Sequence, residues 1–387
     1  MEQITLINLL SKYNDHNVIA CKNINPSKVV FIIEDNPHDE DLFGDIKDYL
    51  EEIMPSIEIA KEIIKEVMIK KEKQSNIETI VTKYKDQTTN LAINISGGTK
   101  VNSYNLYFAA QKHNIKTILV DMKDDKIYQM KNEQLECIDN IKHLYVEDII
   151  KSTGGQIIVD STKDFESKEY KGFLEYTHNN YFKWKIIKKI LKTSGKVIYD
   201  PKNPLSIKII TYQISKNTVV DMVNFFEEMK KYNIITNYKR TAKNFMVSFS
   251  TQKYRNMLMI SGNWLEALTF KTLGEINGID NVRGGVRFIW DKKEITVENE
   301  LDVVAVKHSN LICISCKDTH NYDVEALNEL DVYAEQIGGE KVIKIFVTTQ
   351  MPHKETTIRR AKEMGIHLIK YTGSMKKFKS ELEQAIK

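Results

Sequence analysis

The sequence predicts an α/β protein: a doubly wound parallel sheet, then a basic connector, then a second, mixed α/β unit. Three observations carry this. Leu91–Ile95, the turn Ser96-Gly97-Gly98-Thr99-Lys100, the helical stretch Val101–His113 and the strand Lys116–Asp121 form a βαβ unit, which implies a parallel sheet. Val297–Val306 and Leu311–Lys317 are apolar, β-branched runs around a polar four-residue turn, Lys307 to Asn310, the pattern of a β-hairpin. From the helix that contains Glu266 to the C-terminus, the elements read in the order αβββαβαβα.

A chain of 387 residues suffices for two or three domains with cores of their own. Its 42% hydrophobic and 28% charged content is that of a globular protein in water. No apolar run approaches the ~20 residues that span a bilayer, and the N-terminus lacks the basic-then-apolar order of a signal peptide. The expectation is a cytoplasmic protein with no membrane partner. Four cysteines give no disulfide framework. Cys313 and Cys316, three apart in a strand, face opposite sides and read as packing rather than as half a zinc site. The net charge is +3, but His178 to Ile260 holds 16 Lys plus Arg against 4 Asp plus Glu, so the remainder carries −9. Such a basic segment suits a phosphate backbone.

In the N-terminal third, Ile4–Leu10 and Lys28–Ile33 read as strands around a short helix at Val18–Asn23, with weaker helical stretches at Asp39–Glu52 and Ile57–Lys70. A boundary falls near 145 to 150, giving domains at 1–147, 148–255 and 256–387. Ligands of doubly wound sheets bind outside the carboxyl ends of the strands. Ser96, Gly97, Gly98, Thr99 and Lys100 lie at such an end and open a helix, where free N–H groups and the dipole favour anions. Gly97 and Gly98 let a phosphate or ribose approach closely. The same loop also reads as a tight turn with Thr99 or Ser96 as N-cap.

Alternation along the hairpin puts Glu300 and Asp302 on one face of its first strand and Ser315 and Lys317 on one face of its second. Two carboxylates beside a lysine, among Val and Ile, are costly to bury. A hard divalent cation offsets that cost through carboxylate oxygens, and an ammonium steadies an attacking water or developing negative charge. An ordinary cross-strand ion pair of Asp302 with Lys317 is the plainer alternative. Upstream, Gly262-Asn263-Trp264-Leu265-Glu266 opens a helix with a lone carboxylate, for which dipole stabilisation alone is a sufficient reason.

Between these units, Asn179–Lys192 and Val220–Tyr232 have helical spacing and Ile234–Ser250 alternates like a hairpin, compatible with a winged-helix-like connector. Tyr181, Trp184, Tyr238, Phe245 and Tyr254 read as core in preference to base-stacking platforms. In the C-terminal unit, Asn281–Trp290 and Ile295–Val306 are strands joined at Asp291–Glu294. Asp323–Ile337 is a helix ended by Gly338-Gly339, and His320, His353 and His367 are scattered.

Gly-Asn-Trp-Leu-Glu, Asn-Glu-Leu-Asp and Ile-Ser-Cys-Lys, in this element order, resemble the PD-(D/E)xK nuclease core, although Ser315 stands where the family has an acid two residues before the lysine. Asn-Ile-Ser-Gly-Gly-Thr-Lys is similar to the ligand loop of CARF (CRISPR-associated Rossmann fold) sensors, with Ser11 to Asn14 at their first-strand loop. The resemblance is to CRISPR ancillary nucleases with an N-terminal CARF sensor and a C-terminal PD-(D/E)xK domain. It implies a Rossmann-like sensor and a homodimer across whose two-fold axis a cyclic oligoadenylate lies, cyclic tetra-adenylate in the nuclease-linked branch. Ser11, Lys12, Ser96, Thr99 and Lys100 would contact the ligand, with Gly97 and Gly98 giving it room. Asp302 and Glu266 would hold Mg²⁺ or Mn²⁺, helped by Glu300. Lys317 would orient the hydrolytic water and Ser315 a metal-bound water, in type III CRISPR antiviral cleavage of DNA and/or RNA with little sequence specificity. The alternative is a CARF-containing, ligand-responsive DNA-binding transcription regulator with an inactive nuclease fold.

Overall fold

The computed structural model describes residues 3–64, 70–131, 134–260, 262–290, 298–319 and 322–387. The expected turn at 291–294, the strand start at 295–297, residue 261 and His320 lie outside these. The N-terminal unit runs β1 (Thr5–Leu9), α1 (Asp15–Ile24), β2 (Lys28–Glu34), α2 (Pro37–Ile53), β3 (Glu58–Ile64), α3 (Lys70–Gln87), β4 (Leu91–Asn94), α4 (Lys100–Lys112), β5 (Lys116–Asp121), β6 (Lys126–Lys131) and β7 (Gln134–Asn140). Its sheet has the order β3-β2-β1-β4-β5-β6-β7. The first five strands are parallel and the last two form an antiparallel edge. This is the doubly wound, Rossmann-like fold. Of the stretch Ile57–Lys70, expected to be helical, Glu58–Ile64 is instead β3, parallel to β2, while residues 65–69 lie outside the described residues. Its Ile59, Ile63 and Ile64 gain a ready-made strand edge to pair with, and tertiary pairing overrides the weak helical signal of Glu and Lys.

A middle region follows: α5 (Val146–Ser152), β8 (Gln156–Val159), α6 (Thr162–Phe165), α7 (Lys168–Asn179), α8 (Tyr181–Lys192), β9 (Val197–Asp200), β10 (Asn203–Ile210), α9 (Lys216–Lys231), β11 (Ile235–Arg240), β12 (Asn244–Phe249) and α10 (Gln252–Met259). Strands β11-β12-β10-β9 form a small antiparallel sheet, beneath which helices α8 and α9 pack. Their apolar stripes, Trp184, Ile187 and Leu191 on one and Met222, Phe226 and Met229 on the other, are buried. Trp184, Phe245, Tyr181 and Tyr254 are core as expected, and the half-buried Tyr238 donates to Glu227.

The C-terminal unit comprises α11 (Asn263–Gly274), β13 (Asn281–Ile289), β14 (Asn299–Lys307), β15 (Asn310–Lys317), α12 (Val324–Gly338), β16 (Ile343–Thr348), α13 (Glu355–Glu363), β17 (Ile366–Lys370) and α14 (Met375–Ala385), the predicted αβββαβαβα order. The sheet is β17-β16-β15-β14-β13-β8, so β8 joins it from the middle region. The β14–β15 turn is tighter than expected. Lys307 pairs with Asn310, and His308 and Ser309 both take positive φ, 48° and 59°, as a two-residue type I′ loop requires.

The two faces of this sheet belong to different cores. Val303, Ala305, Ile312, Ile314 and Cys316 pack with α8, α11 and α14. Val304, Val306, Leu311 and Cys313 pack with α12 and with Val18, Ile46 and Ile149 from α1, α2 and α5. Helices α1 and α2 of the N-terminal unit and α5 of the middle region are therefore part of the core on one face of the C-terminal sheet. The two cysteines lie in opposite cores, both buried and unbridged, as the strand reading requires. Leu330 of α12 is 2% exposed in this joint core. Leu330→Ala is expected to cost about 2–5 kcal/mol, read as a lowered midpoint in urea denaturation.

Candidate functional site

The strand order of the N-terminal sheet reverses between β1 and β4, so the crevice at their carboxyl ends is the topological switch point. Both candidate ligand segments lie there: Ser11 and Lys12 after β1, Ser96 to Lys100 after β4. A buried amide network holds the crevice. Asn94 donates to Asn8 at 3.0 Å and to Asn17 at 3.1 Å, and Asn17 donates to the Leu9 carbonyl and to Asn14, each at 2.9 Å. Ser11 Oγ accepts from the Gly98 amide at 2.6 Å, joining the two segments.

The loop residues divide by role. Thr99 Oγ1 accepts from the Asn102 amide at 3.3 Å as the N-cap of α4, and Ser96 Oγ accepts from Val120 N at 2.7 Å. Those hydroxyls serve the fold. A Cβ on Gly97 would meet Leu9 O, Asn17 Oδ1 and Ser11 Oγ at 3.0 Å, and one on Gly98, at φ +74°, would meet Leu9 Cβ at 2.7 Å. Both glycines therefore allow the loop to pack against β1. Lys100 is exposed at the start of α4.

Ser11, Lys12, Ser96, Gly97 and Gly98 line a cleft of about 890 Å³ whose opposite wall comes from the C-terminal unit, including Asn310, Glu335 and Lys341. Tyr13 Oη bridges the walls by donating to the Glu335 carbonyl at 2.8 Å. Asp15 and His16, also in the lining, were not singled out by the sequence. Burial pushes Asp15 up to about 7, against the pull of Lys341. Burial, then Lys341, pushes His16 down to about 4, with Asp121 opposing. No linear pattern marks these residues, because their second wall is over 300 positions away.

The second constellation sits where the C-terminal sheet forks. β14 and β15 pair from Lys307↔Asn310 to Val303↔Ile314 and then part. Beyond that point β14 continues on β13 (Leu301↔Val286, Glu300↔Arg287) and β15 on β16 (Ser315↔Phe346, Lys317↔Thr348). Asp302 occupies the crotch: its Oδ2 accepts from Cys316 N at 2.6 Å and from Ser315 Oγ at 3.2 Å. A carboxylate thus takes the N–H that the strand ladder leaves. Gly262, at φ +109°, opens α11 and turns Glu266 toward the fork: a Cβ there would lie 2.9 Å from Glu266 Oε1 and 3.7 Å from the Cys316 carbonyl.

Electrostatics join these groups. Burial pushes Glu266 up to about 9, reinforced by Asp302 and Glu300 and opposed by Lys317. Asp302 is raised by burial, against Lys317, the Cys316 amide and the Ser315 hydroxyl. Glu300 is raised by burial and by Asp302. Glu266, Glu300, Asp302 and Lys317 therefore share one field, with Ser315 bonded to its centre. Their hard oxygen donors are of the kind a divalent cation takes, and a cation beside them would favour their ionised forms.

Behind the fork, Asp318 is fully buried and accepts from Lys188, from Trp264 Nε1 at 2.6 Å and from Thr349 Oγ1 at 2.7 Å. It ties α8 and α11 to the end of β15 directly after Lys317. Lys188 is thereby removed from the exposed basic surface. Lys183 pairs with Asp221, Lys231 with Glu228 and Lys253 with Asp164, so part of the connector's positive excess is neutralised internally. Asp318 reads in sequence as one more polar residue after a strand; only its three donors mark it.

A Rossmann-like unit is thus joined to a forked C-terminal sheet, the element arrangement on which the sequence resemblance rests. Residues 252–386 match the family described as "Card1-like, endonuclease domain". No curated protein matches the chain in sequence. Among solved structures, it is similar to protein VC1899 from Vibrio cholerae, at 17% identity and TM-score 0.78, over 98% of this chain and 97% of that one. It is likewise similar to Can2 from Sulfobacillus thermosulfidooxidans in complex with cyclic tetra-adenylate, at 19% identity and TM-score 0.70, over the whole of both chains. A type III CRISPR defence DNA nuclease activated by cyclic oligoadenylate aligns at 14% identity and TM-score 0.57, over 100% of this chain and 52% of that one.

The raised carboxyl of Glu266 sets a pH dependence. Between its unfolded value near 4.5 and its folded value of about 9, the native state holds a proton the unfolded state lacks, so stability falls as pH rises. In chelator, wild type is expected to lose stability from pH 5 to 8 and Glu266→Gln to lose less, measured by chemical denaturation at each pH.

Proposed function

We propose that the protein is a cyclic tetra-adenylate-activated, metal-dependent nuclease of type III CRISPR antiviral defence, working in the cytoplasm as a homodimer on DNA and/or RNA with little sequence specificity. The observation that carries this is the fork, which gathers Glu266, Glu300, Asp302, Ser315 and Lys317 from three separate elements into one field. Asp302 and Glu266 would hold Mg²⁺ or Mn²⁺, with Glu300 beside them on β14. When bound, the ion supplies Lewis acidity to the scissile phosphate and a water that deprotonates near neutral pH. Lys317 orients the attacking water and balances charge developing on the phosphoryl oxygens. Ser315, donating to Asp302, fixes which carboxylate oxygen is turned outward.

The sensor reading rests on the switch-point crevice. Lys12 and Lys100 supply positive charge, the loop of Ser96, Gly97, Gly98 and Thr99 leads into the positive end of the α4 dipole, and Ser11 pins that loop through the Gly98 amide. Can2 in complex with cyclic tetra-adenylate, similar over its whole length, supports the ring as ligand. Val101, Tyr104 and Phe108 lie 46%, 65% and 55% exposed at helical spacing along α4, an apolar stripe beside the ligand loop that supports a two-fold partner there. In such a dimer a four-fold ring presents the same half to each protomer. Because the cleft is walled by both units, a ligand that pulls on Lys12 also pulls on α12, whose far face packs under the forked sheet.

The test is cleavage of plasmid and of labelled single-stranded DNA and RNA with Mn²⁺, with and without the ring. Asp302→Ala and Lys317→Ala are each expected to lower the rate by 10²-fold or more, a loss of ~2.7 kcal/mol or more in transition-state stabilisation. Lys12→Ala and Lys100→Ala should raise the ring concentration needed without changing the maximal rate. Equal cleavage by wild type and both fork variants removes the site, and ring-dependent DNA binding with no cleavage under any metal leaves the transcription regulator as the function.

A further inference from the structure

A second group of ligating side chains lies at the seam between the two units, away from the fork. Asp125 is in the β5–β6 turn of the sensor, at φ +59°. His143 is on the segment leaving β7. His308 is in the β14–β15 turn, and Asp280 directly precedes β13. His143 Nε2 lies 2.7 Å from Asp125 Oδ1, and His143 Nδ1 lies 2.6 Å from Asp280 Oδ1. The other Asp280 oxygen accepts from the His308 amide at 2.6 Å. His308 Nδ1 is 4.0 Å from Asp125 Oδ2, and the two rings meet edge to face at 5.5 Å between centroids. One ligand atom each from Asp125, His143 and His308 lies within 4.8 Å of the others.

We propose that Asp125, His143 and His308 form a divalent transition-metal site of the zinc class that clamps the sensor to the C-terminal domain, with Asp280 orienting His143.

Several features favour an ion over an accidental cluster. Ligands at ~2.0–2.1 Å around a tetrahedral ion stand about 3.3 Å apart. The three ligand atoms, within 4.8 Å of one another, need to settle to that spacing by shifts of up to about 1.5 Å, within the reach of side-chain torsions. Metal-bound histidines generally donate their other N–H to a carboxylate, which fixes the tautomer. Asp280 occupies that position on Nδ1 and leaves Nε2 pointing at Asp125. Two imidazoles and one carboxylate select Zn²⁺, Co²⁺ or Ni²⁺ over Mg²⁺ or Ca²⁺, which prefer oxygen donors. His308 is 47% exposed, so water completes the fourth position. The ligand-holding turns are constrained: His308 takes positive φ and its amide is bonded, and the adjacent Ser309 Oγ accepts from Leu144 N at 3.1 Å.

The ion would take the Nε2 position facing Asp125, and ligation requires that nitrogen deprotonated. The site is separate from the fork: six residues of strand, roughly 20 Å at ~3.3 Å per residue, divide His308 from Asp302. It does adjoin the sensor cleft, whose lining includes Ser309 and Asn310.

The test uses full-length protein in the Asp302→Ala background, stripped with chelator and dialysed, then titrated with ZnCl₂ calorimetrically and with CoCl₂ by visible absorption. One zinc per chain, a tetrahedral cobalt spectrum and a higher Tm with zinc are expected. His143→Ala and His308→Asn should each lower zinc affinity at least tenfold, and Asp280→Asn about 10–100-fold. His308→Asn keeps a residue tolerant of positive φ in the turn, so a folded variant is available even if His143→Ala does not fold. Absence of zinc binding by the parent, or unchanged affinity in His308→Asn, overturns the site and leaves only a histidine hydrogen-bonded between two carboxylates.

Discussion

The hydrogen bond from the Cys316 amide to the Asp302 carboxylate is the constraint around which the rest is arranged. Where β14 and β15 part, each strand would leave unpaired backbone groups, and buried orphan N–H groups are costly. Asp302 takes the amide that the ladder abandons, which allows the fork to exist, and the fork gives Glu266 from α11 a route to the same spot. Asp318 plays the reciprocal part behind β15, taking three donors so that the strand end carrying Lys317 is held against α8 and α11. Asp302 on β14 and Asp318 just past β15 thus fasten the same strand end from two sides, in the middle of the sheet.

The same sheet joins the N-terminal and C-terminal units. One face is covered by α12 and by α1, α2 and α5, which share one core with it. The switch-point cleft is roofed by the C-terminal end of α12 and by the β14–β15 turn, the far end of the hairpin whose open end is the fork. Such packed cores resist compression.

Much of this was legible in linear order. Strand period and β-branched runs placed the hairpin; Ser96-Gly97-Gly98-Thr99-Lys100 stood between a strand and a helix; and Glu266, Asp302 and Lys317 stood out as charges in apolar surroundings. The exceptions have physical causes. The stretch 57–64 looked weakly helical because Glu and Lys favour helix in isolation, yet it became a strand since an open sheet edge offers pairing that local propensity does not contain. Thr99 and Ser96, read as ligand contacts or as caps, accept from Asn102 N and Val120 N; each hydroxyl keeps its O–H to donate, so one residue type serves both uses and local sequence does not separate them. His143 and His308 carried no signal because their partners sit on different chain segments.

By itself, the sequence determined the element order of the C-terminal unit, the parallel sheet with its glycine-containing turn after β4, and the alternation that puts Glu300 with Asp302 and Ser315 with Lys317, since these follow from local period and side-chain type. Only the tertiary structure decided that the hairpin forks at Val303 and Ile314, that Asp318 is sealed among Lys188, Trp264 and Thr349, and that the sensor cleft takes its second wall from α12. Those are long-range pairings, settled by which buried polar groups find partners once the whole chain has collapsed.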